Sequence, residues 1–120
     1  MQRKPTKNTR GPNADEKRFQ AWCKNRPCCV TGAYGSTEVH HMYGASFKHN
    51  KVIVGHWACI PLSWDLHRGP SGYHAVGQKH WRGINGNQAL YWIVLHDLYV
   101  DEGNEPAPKE VIDAIMDWGR

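Results

Sequence analysis

The chain predicts a small α+β domain in which two or three short strands are surrounded by helices. Three observations lead there. Its 120 residues suit one domain with a single modest core. Apolar residues recur at helical spacing towards both ends, at Phe19, Trp22 and Cys23 and again at Val111, Ile112, Ile115 and Met116. Between them lie short segments bounded by glycine-containing turns, of which Thr37 to His41 reads as a strand.

Each element has a local cause. Residues 1–12 carry two prolines, four positive charges and almost nothing apolar, and are expected to form a disordered basic arm ahead of a domain spanning 13–120. Asn13 or Asp15 can cap a helix from about Asp15 to Asn25, which Pro27 ends. A tight turn follows between Cys28 and Gly35, then the strand Thr37 to His41 and a loop from Tyr43 to Asn50. A second short strand is expected around Lys51 to Val54 or Trp57 to Ile60. Ser63 caps a brief helix through His67, broken by Gly69-Pro70. A helical stretch from Tyr73 to Trp81 precedes a helix from Asn87 to Leu98, on which Leu90, Ile93, Val94 and Asp97 trace one face and its opposite. Glu105 to Pro108 is a linker, and Pro108 to Trp118 forms the last helix.

The net charge of +4 conceals three regions. The arm is basic; from Asn13 to Val94 nine Lys or Arg face four acids; from Leu95 onward two face seven. The basic middle holds every histidine but His96, which suits attraction of a polyanion such as nucleic acid. No apolar run approaches a membrane span and no leader is evident, so a soluble cytoplasmic protein with reduced thiols at Cys23, Cys28, Cys29 and Cys59 is expected.

Histidine is the residue that carries chemistry here. His40, His41, His67 and His74 fall within 35 residues, two of them adjacent and two flanking a Gly-Pro turn. Neutral imidazole can bind a metal ion or take a proton from water at cellular pH. Consecutive strand residues point to opposite faces, so His40 and His41 are suited to different tasks, one a ligand and the other addressing water. His67, in a short helix facing the hairpin, is a good second ligand, and the loop after it can return His74 to the same cation. Three imidazoles favour Zn, Ni or Mn over Mg, although availability and substrate oxygens can still make Mg or Mn the working ion.

Together, Arg26-Pro27-Cys28-Cys29-Val30-Thr31-Gly32, Val39-His40-His41-Met42-Tyr43-Gly44, and Ile60-Pro61-Leu62 leading into His67-Arg68-Gly69-Pro70-Ser71-Gly72-Tyr73-His74 resemble the HNH, or ββα-metal, nucleases. The chain is most similar to the small phage-encoded, recombination-enhancement, RecA-dependent nucleases, over about Phe19 to Leu98. The resemblance implies a treble-clef-like ββα-metal core with a short antiparallel hairpin, surrounded by additional helices. It also implies a metal-dependent DNA endonuclease of the bacterial host cytosol, with RecA or another recombination protein as a partner. By that resemblance His41 is the general base, and His40 joins His67 and His74 as metal ligands for one divalent ion. Asn50 is the candidate for the middle position that orients the base, and Arg68 can clamp the scissile phosphate. Lys48, Lys51, Lys79 and Arg82, with the arm, would hold neighbouring phosphates of the DNA.

Relatives of this kind often carry a structural zinc on two cysteine pairs. Here the matching positions read Cys28, Thr31, Ser63 and Leu66, so structural zinc is expected to be absent and the thiols packed. A rearranged zinc site using Cys23, Cys28 or Cys29, and Cys59 is the alternative. In place of zinc, Trp22, Trp57, Trp64, Trp81 and Trp92 offer packing material, and Tyr43 or Trp64 could stack on a base. Two readings from other classes compete with the nuclease: a non-catalytic nucleic-acid-binding module on the same scaffold, and a structural phage protein.

Overall fold

The computed structural model describes residues 11–35 and 37–120, so the expected arm at 1–12 lies outside the described residues except for Gly11 and Pro12. The fold is α+β, with six helices and two small antiparallel strand pairs among the described residues.

Helix α1 spans Ala14–Lys24. Asn13 caps it reciprocally, its side chain accepting from the Glu16 amide while Glu16 Oε1 accepts from the Asn13 amide, both at 2.8 Å. Its Phe19 and Cys23 are fully buried and Trp22 packs at the margin. The chain then turns through Cys28–Ala33 and enters β1, Thr37–His41. A small hairpin follows, β2 at Lys48–His49 pairing with β3 at Val52–Ile53. Strand β4, Cys59–Ser63, returns antiparallel to β1, with Thr37 opposite Ser63 and His41 opposite Cys59.

Both candidate second strands are therefore real, with different partners. The partner of β1 runs through Pro61 to Ser63, further than residue type alone suggests. In a two-stranded sheet a proline can turn its missing donor away from the ladder, and Pro61 still contributes its carbonyl to the Cys29 amide at 3.0 Å.

Helix α2, Trp64–His67, begins directly after β4 with Ser63 as its cap. The stretch expected as one helix from Tyr73 is two, α3 at Tyr73–Val76 and α4 at Gln78–Asn85, separated at Gly77 with φ of 87°. Helix α5 is Gln88–Asp101 and α6 is Lys109–Trp118.

The rotation of α5 differs from expectation. Its buried side is Ala89, Trp92, Leu95, His96 and Tyr99, whereas Leu90 and Val94 are 57% and 66% exposed. A helix apolar on nearly every side does not announce which face turns inward, and here the large rings decide. Phe19 lies edge-on to Tyr99 at 5.0 Å and tilted against Trp57 at 5.6 Å, while the Trp92 indole donates to the Trp57 carbonyl at 2.8 Å. Trp81 is likewise buried and donates to the Leu66 carbonyl at 3.0 Å. Trp64, expected among the packing residues, is instead 47% exposed on α2.

A buried imidazole belongs to this core. His96 stacks on Trp92 at 4.8 Å and accepts the Ala107 amide proton on Nε2 at 3.0 Å, which ties α5 to the linker before α6. Only the neutral ring can accept, and burial holds its pKa below the ordinary 6.5 despite the opposing charge of Asp97. The unfolded chain therefore binds the extra proton first as pH falls. This contribution to stability is complete above about pH 6.5 and is lost as pH drops through the folded pKa. His96→Gln keeps an acceptor without the titration, so its urea midpoint should fall less between pH 7.5 and 5 than that of the wild type. Equal falls would contradict this account.

Candidate metal centre

Strand alternation divides the adjacent histidines. His40, opposite Ile60, is fully buried against Tyr73, His67 and His74; His41, opposite Cys59, meets His56. His67 is the last residue of α2, directly downstream of β4, and is 3% exposed. His74 returns to it because the 69–72 turn lies flat on α2. A Cβ on Gly72 would fall 2.8 Å from the Asp65 carbonyl oxygen and 2.9 Å from the Arg68 amide nitrogen, so only glycine permits this approach. The Tyr73 hydroxyl donates to the Met42 carbonyl at 3.2 Å and anchors α3 to the end of β1.

One ring nitrogen from each of His40, His67 and His74 lies within 4.8 Å of the other two. Among the described residues this is the one group of three or more metal-ligating side chains so gathered. Neighbouring side chains set the tautomers. Gln88 Oε1 sits 2.8 Å from His40 Nε2, so that nitrogen donates and His40 Nδ1 keeps a lone pair. Glu38 Oε1 sits 2.7 Å from His67 Nδ1, which leaves the lone pair on Nε2. That Nε2 is 2.9 Å from His74 Nε2. His40 Nδ1 is buried without a hydrogen-bond partner, an expense the fold bears for an atom with no other evident use.

Burial keeps His40 and His67 neutral. Burial lowers the His40 pKa to about 3, more than the Gln88 bond raises it, with the neighbouring histidines adding to the drop. Burial also lowers His67; the Glu38 hydrogen bond opposes this, while charge on His74 and Arg68 adds to it. Glu38 is held below the usual carboxylate range by its hydrogen bond to His67 and by Arg68, whose Nε donates at 3.0 Å. A carboxylate on one side of an imidazole and a lone pair on the other is the arrangement that orients a metal ligand. The three nitrogens lie close enough to hold one metal ion, with access from solvent on the side of exposed His74.

The other predicted residues are distributed as follows. His41 follows His40 in the chain but takes the other face of β1, its Nε2 3.3 Å from His56 Nδ1, and its pKa is lowered by burial first and then by His56 and His67. Arg68 caps α2 beside Glu38 with an exposed side chain. Asn50 does not join the histidines. It occupies the tip of the β2–β3 hairpin at φ of 53°, lining a hollow with Asp113 and Asp117 of α6. A two-residue hairpin turn needs a residue tolerant of the left-handed conformation, and that local demand accounts for Asn50. Lys48 and Lys51 are exposed on the same hairpin, whereas Lys79 and Arg82 are exposed on α4.

Four contributors carry no functional expectation from sequence alone. Glu38 was within reach, since two residues before His40 on a strand means the same face. Gln88, Tyr73 and His56 arrive through tertiary packing and leave no comparable signal. The cysteines are free: Cys23, Cys28 and Cys59 are buried and Cys29 half-buried. Burial pushes the Cys23 and Cys59 thiols up, and Cys29 up to about 12. For Cys28 burial also acts upward, but hydrogen bonds from Thr31 and from the Ser63 and Val30 backbone outweigh it and lower the thiol. Three positions matched to zinc ligands by the resemblance, Cys28, Thr31 and Ser63, thus meet around one sulfur.

No protein-family model, curated protein or solved structure matches the chain.

Zn²⁺, Ni²⁺ or Mn²⁺ should bind at one equivalent in calorimetry and raise the melting temperature, since an ion that binds only the folded state stabilises it. His40→Ala and His67→Ala should each abolish the response. Glu38→Gln should weaken affinity by about 10–100-fold, as loss of an outer partner does. Retained stoichiometric binding in His67→Ala would exclude this centre.

Proposed function

We propose that the chain is an HNH-type, metal-dependent endonuclease that hydrolyses phosphodiester bonds in DNA. The observation that supports it most is the convergence of three imidazole nitrogens within 4.8 Å, on tautomers set by Gln88 and Glu38, with His41 following His40 on the same strand. The succession of paired strands β1 and β4 and then α2, with ligands on the first strand and the helix, agrees with a ββα-metal core. The family resemblance adds a phage setting in the bacterial host cytosol, a task in recombination, and RecA or a similar protein as partner. No described helix is long and apolar enough to cross a membrane.

His40, His67 and His74 would hold the cation, which when bound supplies Lewis-acid stabilisation of charge on the phosphate and the departing 3′ oxygen. The chain's own residues do the rest. His41, neutral because burial depresses its pKa, accepts a proton from water. The water oxygen bonds to phosphorus as the P–O3′ bond breaks with its electron pair, and the 3′ oxygen takes a proton from solvent. Arg68, its Nε held by Glu38, offers its exposed guanidinium to the phosphate undergoing attack. Lys79 and Arg82 on α4, and Lys48 and Lys51 on the hairpin, contribute sequence-independent, salt-sensitive attraction.

A plasmid-nicking assay with Mg²⁺, Mn²⁺, Zn²⁺ and Ni²⁺ tests this. Wild type should nick with at least one ion and stop on chelation, and His41→Ala should be slower by about 10²–10⁴-fold while still shifting DNA in gels. Wild-type protein that shifts DNA but cuts with none of the ions is the outcome expected of a non-catalytic binding module.

A further inference from the structure

His56 has no part in the scheme above, yet it is built into the molecule with care. It lies in the turn ahead of β4 and is only 7% exposed. Its carbonyl accepts from Gln20 Nε2 at 3.0 Å and from the Cys59 thiol at 3.3 Å. Gly55 before it abuts the loop after β1, where an added Cβ would lie 1.9 Å from the Ala45 carbonyl oxygen. The backbone that presents His56 is thus fixed from three sides. Its ring stands edge-on to His41, with centroids 5.3 Å apart at 78° and His56 Nδ1 3.3 Å from His41 Nε2.

We propose that His56 is the positioning residue for His41: its Nδ1 accepts the Nε2–H of His41, fixing the ring and leaving His41 Nδ1 as the nitrogen that addresses water. This rests on the hydrolase reading. The geometry leaves His41 Nδ1 as the nitrogen that can meet water, since it is hydrogen-bonded to no described residue and is not among the sealed polar atoms. When His41 takes the proton of water on Nδ1 it becomes an imidazolium, and its Nε2–H bond to His56 becomes charge-assisted and stronger. The contact therefore gains strength as the reaction proceeds, which is the condition for an interaction to accelerate a step rather than merely hold the ground state. No proton needs to pass to His56. Asn50, expected from the sequence to orient the base, sits at the hairpin tip instead, so the position beside His41 belongs to His56.

Two substitutions separate positioning from packing. His56→Phe keeps the ring and removes the nitrogen; His56→Asn keeps a polar atom near the place of Nδ1. In single-turnover plasmid nicking with the ion that supports wild-type activity, His56→Phe should lose at least about 10-fold in kcat, part of the about 10²–10⁴ a general base supplies. KM for DNA and the metal-induced rise in melting temperature should stay at wild-type values, and His56→Asn should recover most of the rate. Long-range ¹H–¹⁵N spectra should show His41 protonated on Nε2 in wild type and a mixture of tautomers in His56→Phe. Wild-type kcat in His56→Phe, an equal loss in His56→Asn, or His41 protonated on Nδ1 in wild type overturns the role of His56 and leaves the nuclease reading intact. A wild type that cuts with no ion ends both.

Discussion

The antiparallel register of β1 against β4 is the constraint on which the candidate site depends. With Thr37 opposite Ser63 and His41 opposite Cys59, Glu38 and His40 share one face of the strand and His41 takes the other. A slip by one residue would exchange the two histidines, send Glu38 away from His67 and place His41 among the would-be ligands. The register is held firmly because β4 is buried along Cys59–Leu62 and its end is also the start of α2. Ser63 therefore closes the strand pair and caps the helix that delivers His67, so strand pairing and ligand placement are one structural event.

Gathering three imidazoles is unfavourable if any of them charges, and the surroundings resolve this by burial and by directed hydrogen bonds. His40 is fully buried and His67 nearly so, and both stay neutral. Gln88 and Glu38 then determine which nitrogen keeps its lone pair. The two outer partners differ for a reason. Gln88 sits in the interior at the start of α5, where an unpaired charge would be costly, whereas Glu38 lies near the surface and shares its carboxylate with Arg68. A neutral amide serves the candidate ligand whose partner is buried, and an ion pair serves the one whose partner reaches the surface.

How much of this was legible follows from the range of each signal. The capped helix at Asn13, the strand Thr37–His41 and the Ser63-capped turn of helix rest on neighbours a few residues apart, and the chain folds there as read. The grouping of His40, His67 and His74 was accessible through the Gly-Pro turn and the family resemblance. The division of the Tyr73 stretch at Gly77 and the rotation of α5 were not, since the first depends on one backbone angle and the second on a contest among nearly equal apolar faces. Asn50 and His56 show the same limit within the site. Asn50 satisfies a local turn, while His56 meets His41 only because the hairpin folds the intervening residues out of the way.

His74 differs from the other two candidate ligands in how it is held. It is exposed and lies on the four-residue helix α3, between Gly72 and Gly77. A single turn of helix has no stability of its own, so its position derives from contacts made elsewhere. Two of these are evident: the close seating of Gly72 on α2, and the Tyr73 hydroxyl on the Met42 carbonyl. The second ties α3 to the residue that follows His41, and the Tyr73 ring packs on His40 at 4.3 Å. Tyr73 thereby links the third candidate ligand to the strand that carries the first and the proposed base. The candidate centre combines two buried donors in the core with a third on a short, tethered segment at the surface, so the side open to solvent is also the side held by tertiary contacts alone.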